Sequence, residues 1–302
     1  MNTFFLDRLN SEPHALAFAG QSTPWPVALA DQSANPALDE ALHTHAAAAQ
    51  ALLYPVSAEL LATTGRPVDL FGFEPNPARL GAAAAASASV PGIALTQLGA
   101  LLDAAALGYN PAQAKPVAVL GHSQGVLAVH MVQAICEAGS IDAAAAKIDE
   151  ILAIATLIGV AGTRQARQLG LAARHGEATP MLSVKDITRA QVDALIERVD
   201  GARGPIAVAV TNSATHYVLS GYPEDLAAFG VEVAKEHKRQ AKLREEKVRG
   251  GRVFDPTLEY LDVTLPFHSP LMADAVSQAV AWAEACGINA DHARELAAEV
   301  LL

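Results

Sequence analysis

The sequence is poor in cysteine, in aromatic residues and in positive charge. Its 302 residues contain two cysteines, Cys136 and Cys286, which are too few for a disulfide framework or a cysteine metal cluster. We expect both to be reduced and buried, as is usual in a cytosolic protein. Lysine and arginine number 21 against 32 aspartates and glutamates, for a net charge of -11. That balance argues against nucleic-acid binding, which requires a broad basic face.

Long apolar runs are also missing. No run reaches the roughly 20 residues of a membrane span, and the N-terminus lacks a basic segment followed by an apolar core. We therefore predict neither a membrane anchor nor a signal peptide. Hydrophobic residues still make up 51% of the chain, which is typical of a globular protein. The last residues indicate a helix without a stop signal, so we expect the chain to be part of something longer.

The most informative segment begins with an apolar run at 116–120. GHSQG follows at 121–125, and an apolar helical pattern begins at Val126. A strand, a sharp turn and a helix in this order form the setting of a nucleophile elbow. The flanking glycines permit the tight turn, and the helix N-terminus presents free N–H groups beside the serine. We predict Ser123 as a nucleophile; a buried turn with a capping serine is the alternative.

A serine hydroxyl requires a base that accepts its proton. The chain has ten histidines, and most lie in helical, loop or charged contexts. His268 differs because it lies in a proline-bracketed turn, Pro266–Pro270, after an apolar strand. In a parallel sheet the loops at the carboxyl ends of the strands form the binding edge, where the elbow must also lie. The pattern alone leaves His268 as one candidate among several.

The order of the motifs is more specific than any one of them. FAGQ at 18–21, GHSQGVLA, LIGVAG, PMLSV, TNSATHYVLSG and PFHSPLM follow one another along the chain. In this order they resemble the acyltransferase family of fatty-acid and polyketide synthases. The chain is most similar to the acetyltransferase domain of fungal- and actinobacterial-type multienzyme fatty-acid synthases, from about Phe18 to Met272.

The resemblance agrees with the alternation of strands and helices along the chain, which favours an α/β fold. We expect an α/β-hydrolase-like core with a parallel sheet at residues 1–175 and 255–302. The order β-α-β-β-α after residue 180 predicts an inserted ferredoxin-like subdomain at 176–254. The active site is expected between the two.

The resemblance also implies a reaction. An acyl-CoA esterifies Ser123, and the phosphopantetheine thiol of an acyl carrier protein then takes the acyl group. His268 serves as base and then as acid, and the backbone N–H groups of Gln21 and Gln124 form the oxyanion hole. The third partner of His268 would lie in a later segment and is not assigned. No cofactor or metal is implied, and other domains of a cytoplasmic synthase are the expected partners.

Acyl choice depends on one position. Malonyl-using relatives carry an arginine on a helix that follows the elbow, and Ile158 stands at that place here. An apolar residue cannot neutralise a carboxylate, so we predict an acetyl or other short neutral substrate that primes fatty-acid synthesis, with malonyl or palmitoyl transfer as the alternatives. The resemblance also matches Asn212 to a family asparagine that lines the subdomain cleft and would bind substrate, although Asn212 could equally only shape the turn.

Two other functions compete with acyl transfer. A serine esterase or thioesterase would require an acidic triad member between serine and histidine, and Asp262 is the nearest candidate. A non-catalytic docking domain would not be expected to retain both Ser123 and His268.

A basic run at 235–252 also calls for interpretation. It holds eight lysines and arginines against three glutamates. It is either a solvated segment or a landing site for CoA phosphates or an acidic carrier protein.

Overall fold

The computed structural model describes residues 8–20, 24–70, 85–171, 178–200, 202–245 and 254–302. The chain divides into two units, residues 1–164 with 275–300 and residues 165–274 with 301–302. The strands are β1 (Ala15–Phe18), β2 (Ala118–Gly121), β3 (Met181–Lys185), β4 (Ala207–Ser213), β5 (His216–Ser220) and β6 (Thr257–Tyr260). The helices are α1 (Trp25–Ser33), α2 (Pro36–Leu52), α3 (Ser57–Thr64), α4 (Ala86–Ala106), α5 (Pro111–Ala114), α6 (Val126–Ala138), α7 (Ala145–Gln168), α8 (Arg189–Ile196), α9 (Pro223–Glu245), α10 (Ala273–Ala285) and α11 (Ala290–Leu301).

The first unit is built around a parallel pair of strands. β1 pairs with β2 in register from Ala15 opposite Ala118 to Phe18 opposite Gly121, although about 100 residues separate the two strands. Parallel neighbours require a crossover connection, and here helices α1 to α5 supply it. The predicted α/β class is confirmed.

Helix α4 belongs to the first unit and is mostly buried. Over its 21 residues it is long and apolar enough to cross a membrane by length and composition, which the sequence analysis did not anticipate. Of its most apolar window, however, 72% is buried inside the fold, as in the core helix of a folded domain.

Both cysteines are free, as predicted, but their predicted burial is wrong. Cys136 is exposed and Cys286 is only partly covered. Cys136 lies on α6 between buried Ile135 and exposed Glu137, on the outer side of an otherwise apolar helix. Apolar character alone therefore did not identify the buried face.

The second unit contains a four-stranded antiparallel sheet in the order β4-β5-β3-β6. With α8 after β3 and α9 after β5, the chain order is β-α-β-β-α-β, which is the ferredoxin-like arrangement. The predicted insertion is thereby confirmed in topology. Thr188 caps α8 with a capping box that includes Gln191, and the core between sheet and helices centres on Phe229, Leu219 and Val184.

The unit bounds differ from the predicted domain bounds at 175 and 255. Strand β6 pairs with β3 from Lys185 opposite Thr257 to Leu182 opposite Tyr260, so residues after 255 complete the antiparallel sheet. The division into functional domains remains a prediction.

Helix α9 contains a buried carboxylate, Glu236, which is 7% exposed. Arg239 donates to it through Nε at 2.9 Å, Gln240 donates at 2.7 Å, and Arg198 reaches it from the end of α8 at 3.1 Å. The hydrogen bonds from Arg239 above all, with those from Gln240 and Arg198, lower the pKa of Glu236 to about 2 against the opposing effect of burial. A buried charge is tolerated only when it is paired in this way.

We predict that Arg239→Ala lowers the free energy of unfolding at pH 7 by about 1–3 kcal/mol, because it leaves a buried carboxylate with fewer donors. The pKa of Glu236 is lower in the folded chain than the ordinary 4.5. The stabilisation is therefore complete above that pH and is lost as the pH falls towards about 2. Urea unfolding at several pH values measures the effect. Lys238→Ala, at an exposed position one residue earlier, is the control, and an equal loss in both variants would contradict the prediction.

Candidate active site

Ser123 lies on a sharp turn between strand and helix. Strand β2 ends at Gly121, His122 is extended, and a short 3-10 turn at Ser123–Gly125 leads directly into α6. Ser123 has φ +53°, which is uncommon for a residue with a side chain. This left-handed conformation costs roughly 1–2 kcal/mol and must be held by the residues around it. The predicted nucleophile elbow is therefore present in the backbone.

Three glycines make the turn possible. A Cβ at Gly121 would lie 2.5 Å from the carbonyl carbon of Gly125, and one at Gly125 would lie 2.3 Å from the carbonyl oxygen of Phe18. At Gly20, just after β1, a Cβ would lie 2.3 Å from the carbonyl oxygen of His122. Real Cβ atoms do not approach backbone this closely, so all three positions require glycine.

Hydrogen bonds also hold the end of β1 against the turn that follows β2. The His122 N–H donates to the Phe18 carbonyl at 2.9 Å, and the Gly125 N–H donates to the His122 carbonyl at 3.0 Å. The side chain of Gln97 on α4 donates to the Ala19 carbonyl at 2.6 Å. Gln97 was not predicted as part of the site, although a glutamine in an apolar helix indicates that a buried hydrogen-bond partner exists.

The oxyanion-hole prediction concerns two residues. Gln124 follows Ser123 and is fully buried, and its backbone nitrogen lies beside Gly20, 3.1 Å from where that residue's Cβ would be. Gln21 lies outside the described residues. Gly20, its neighbour, is packed against Ser123, so the structure brings the FAG and GHSQG segments together.

His268 lies in the second unit, on the turn of PFHSP. Its backbone also has φ +53°, and its neighbours Phe267 and Ser269 are buried at 2% and 1% exposure. The Ser269 hydroxyl caps the following turn by accepting from the Leu271 N–H at 3.2 Å, and the Ser269 N–H donates to the Leu301 carbonyl at 3.4 Å. His268 thus lies on a turn that the hydrogen bonds of Ser269 hold in place.

Backbone strain marks both predicted catalytic residues. Among the described residues, four that are not glycine have positive φ: Lys115, Ser123, Asp186 and His268. Strained residues concentrate at functional sites because the surrounding structure must maintain them. Two of the four were named from sequence for other reasons.

Ile158 lies on α7 and is fully buried. Its neighbour Gly159 faces the start of α4, where a Cβ would lie 2.4 Å from the Ala86 carbonyl oxygen. The next cation along the helix, Arg164, donates to the Gln278 side chain at 2.8 Å and stacks over Trp282. The surroundings of Ile158 on α7, from Ile154 to Ala161, are apolar or small and buried.

Comparisons with known proteins give one consistent result. Residues 180–260 match the family model of the fatty acid synthase central AT domain. The chain is 27% identical over 209 residues to the fatty acid synthase subunit beta of Schizosaccharomyces pombe, covering 62% of this chain and 10% of that protein. It is 30% identical over 175 residues to fatty acid synthase 2 of Mycosarcoma maydis, covering 54% and 5%. The resemblance to a fatty-acid synthase acyltransferase domain is confirmed.

Solved structures agree on the acyltransferase fold. The malonyl CoA-acyl carrier protein transacylase of Coxiella burnetii gives a TM-score of 0.57 at 16% identity, covering 96% of this chain and 79% of that one. MCAT from Mycobacterium tuberculosis gives 0.59 at 19% identity, covering 96% and 82%. At these identities the likeness concerns the fold alone. The chain spans about a tenth or less of the length of the curated relatives.

Part of the positive charge in the basic run at 235–252 is paired with glutamates. Lys235 pairs with Glu232 at 2.6 Å, and Arg239 pairs with buried Glu236. Lys238 and Lys242 are exposed on the outer face of α9, whereas residues 246–252 lie outside the described residues. Binding of CoA phosphates or an acidic carrier protein by the basic run remains a prediction.

Two other groups of described residues bear on alternative chemistries, a hydrolase triad and a metal site. Asp262, the acidic residue that a hydrolase triad would use, is exposed. His130, Glu295 and Glu299 could bring three ligand atoms within 4.8 Å of one another. His130 Nε2 lies 3.2 Å from Glu299, an ordinary pair between neighbouring helices, and both glutamates are exposed.

We predict that Gly125→Ala destabilises the chain by about 1–3 kcal/mol, because the new methyl group would meet the Phe18 carbonyl. Gly230→Ala is the matched control. Gly230 lies within α9, where the nearest atom to a new Cβ is 3.6 Å away, so this change should be neutral or stabilising by up to about 1 kcal/mol. Thermal unfolding compares the two; an unchanged melting temperature for Gly125→Ala would show that the elbow is not interlocked.

Proposed function

We propose that the chain transfers a short acyl group from coenzyme A, through an ester on Ser123, to the phosphopantetheine thiol of an acyl carrier protein in fatty-acid synthesis. The observation that carries the proposal is the elbow itself. Ser123 is held in a left-handed conformation at the entrance to α6 by three glycines from two distant segments. Such strain is maintained where a reactive group must be presented.

The first half-reaction forms the ester. His268 accepts the Ser123 proton as Oγ attacks the thioester carbonyl carbon, and the carbon–sulfur bond breaks as the tetrahedral intermediate collapses. His268 then returns the proton to the sulfur, so coenzyme A leaves as a thiol. Ser123 and His268 belong to different units, and their pairing is proposed from the motifs.

The second half-reaction reverses these steps with the pantetheine thiol as nucleophile. His268 takes the thiol proton, sulfur attacks the ester carbonyl, and Ser123 recovers its proton as the ester bond breaks. In both halves the carbonyl oxygen becomes negative. The backbone N–H of Gln124, with that of Gln21, would stabilise it at the positive end of α6.

We propose acetyl as the preferred acyl group. Ile158 is fully buried on α7, and an unpaired carboxylate brought against such a wall would lose its hydration without compensation. The solved structures described above are malonyl transacylases, so malonyl transfer is the alternative within the same family.

The carrier protein is the proposed partner. A structure among the matches, with a TM-score of 0.54 and 17% identity, shows a malonyl-transacylase in complex with its acyl-carrier protein. Lys238 and Lys242 project from α9 and would attract an acidic carrier in spite of the net charge of -11. Other domains of a cytoplasmic synthase would accompany the chain.

We predict ping-pong kinetics for transfer from acetyl-CoA to a pantetheine-bearing carrier, with parallel lines in double-reciprocal plots. Ser123→Ala and His268→Ala should each lower kcat by at least about 10³-fold, because the two residues act as a unit. Ser57→Ala, at an exposed serine on α3, is the control. Retained transfer in Ser123→Ala would contradict the proposal. Release of free acetate without thioester product would indicate a hydrolase.

We predict that wild type prefers acetyl-CoA and that Ile158→Arg shifts the ratio of kcat/KM towards malonyl-CoA by about tenfold or more. A guanidinium at this position can pair with the malonyl carboxylate, and tenfold corresponds to about 1.4 kcal/mol of transition-state binding. Ile158→Val keeps the wall apolar and controls for disturbed packing. A wild type that already prefers malonyl-CoA would show that Ile158 does not select the acyl group.

A further inference from the structure

Helix α4 carries one polar side chain that reaches beyond the helix towards the elbow. The helix contacts the Ser123–Gly125 turn directly and belongs to the same unit. Its middle, residues 93–98, is buried and apolar except for Thr96 and Gln97. The Thr96 hydroxyl donates to carbonyls of its own helix. Gln97 is thus the polar side chain of this stretch that contacts another segment.

Gln97 holds one peptide group at the end of β1. Its Nε2 donates to the Ala19 carbonyl at 2.6 Å, and because a peptide group is planar, this bond also orients the peptide between Ala19 and Gly20. Gly20 in turn lies against the elbow. A Cβ at Gly20 would lie 2.9 Å from Ser123 Cβ and 3.1 Å from the Gln124 backbone nitrogen. The nucleophile and the N–H that follows it therefore both lie beside the peptide that Gln97 orients.

The same helix also holds the chain after residues 21–23. Trp25, the first residue of α1, is 3% exposed, and its ring lies on Gly92, where a Cβ would be 2.5 Å from the indole carbon Cε3. Gln32, further along α1, donates to the Thr96 carbonyl at 2.9 Å. The chain is therefore attached to α4 on both sides of residues 21–23.

The other end of the Gln97 side chain is not satisfied by the described residues. Its Oε1 is buried and accepts no hydrogen bond from them. A buried acceptor in this state destabilises a fold, which offsets the bond to Ala19. Stability alone therefore does not explain a glutamine at this position, and a catalytic role is one reason for which native proteins retain such groups.

We propose that Gln97 is a positioning residue for acyl transfer, which holds Gly20 against the elbow and so fixes where the Gln124 N–H meets the negative oxygen of the intermediate. This inference rests on the proposed function. The donors of an oxyanion hole act only where the charge develops, and a displacement of about 1 Å costs about 100-fold in rate. The peptide that Gln97 orients also directly precedes Gln21, the other predicted donor.

Single-turnover acylation of the full chain by acetyl-CoA tests this role. Gln97→Met keeps a similar volume and removes the donor. It should lower the maximum rate of Ser123 acylation about 30-fold or more, because the lost interaction acts in the transition state. The acetyl-CoA concentration that gives half the maximum rate should change less than about threefold. Gln133→Met, at an exposed glutamine on α6, is the control and should acylate at the wild-type rate.

Gln97→Glu separates hydrogen-bond donation from shape. An ionised carboxylate cannot donate to the Ala19 carbonyl, whereas a protonated carboxyl group can. Burial raises the pKa of such a carboxyl group, so we expect it to be protonated at about pH 5. The acylation rate relative to wild type at the same pH should then rise as the pH falls, to within about threefold of wild type at about pH 5. A Gln97→Glu variant as slow as Gln97→Met at that pH would overturn the proposal.

The ester on Ser123 reports the oxyanion hole directly. Its C=O stretch, identified by an isotopic label on the acetyl carbonyl carbon, lies at lower frequency when the oxygen accepts hydrogen bonds. The stretch should move to higher frequency in Gln97→Met. An unchanged frequency would show that Gln97 acts only through packing, even if the rate falls, because a loss of rate alone also follows from weaker packing.

The outcomes distinguish this inference from the proposed function. Equal acylation of Ser123 in wild type and Gln97→Met would overturn the inference and leave the proposed transfer standing. A wild type that forms no ester on Ser123 would reject the proposed transfer, and this inference with it.

Discussion

The close approach of one backbone segment to another is the constraint on which the site depends. Residues 18–20, at the end of β1, pass within contact distance of residues 122–125, and a methyl group at Gly20 or Gly125 would close the gap. This contact fixes the end of β2, forces Ser123 to φ +53° and sets the start of α6. The backbone geometry at Ser123 is thus a property of the parallel strand pair and not of the serine alone. The Gln97 side chain, on α4, donates a hydrogen bond to the Ala19 carbonyl and so supports this contact from a third element.

The second unit combines a well-packed core with two separate polar networks. Glu236 is buried on α9 and held by three donors, which stabilises the fold but neutralises part of the basic run. Ser183, His216 and Asn212 form the other network on the opposite face of the sheet. There the bulge in β4 leaves an amide exposed. The first network pairs a buried charge, and the second links side chains from strands β3, β4 and β5.

Local patterns account for what could be predicted from the sequence. The elbow follows from an apolar strand, two glycines and a helix that are contiguous, and the insertion follows from the order of its strands and helices. Contacts between distant segments could not be predicted, because they depend on tertiary packing. These include the Gly20–His122 contact, the hydrogen bond from Gln97 to Ala19 and the pairing of Arg198 with Glu236. The bulge at Asn212 and the exposure of Cys136 were missed for the same reason. The roles of all the predicted site residues remain predictions: Ser123, His268, Gln21, Gln124, Ile158 and Asn212.

The central claim is that the interlocked turn makes Ser123 an acyl carrier. The most direct measurement is peptide mapping by mass spectrometry after brief exposure of the chain to acetyl-CoA in the absence of an acceptor. The account predicts one added acetyl group, located on the peptide that contains Ser123, which disappears when pantetheine is added and the thioester product forms. Acetylation elsewhere in the chain, or the same labelling in Ser123→Ala, would contradict it.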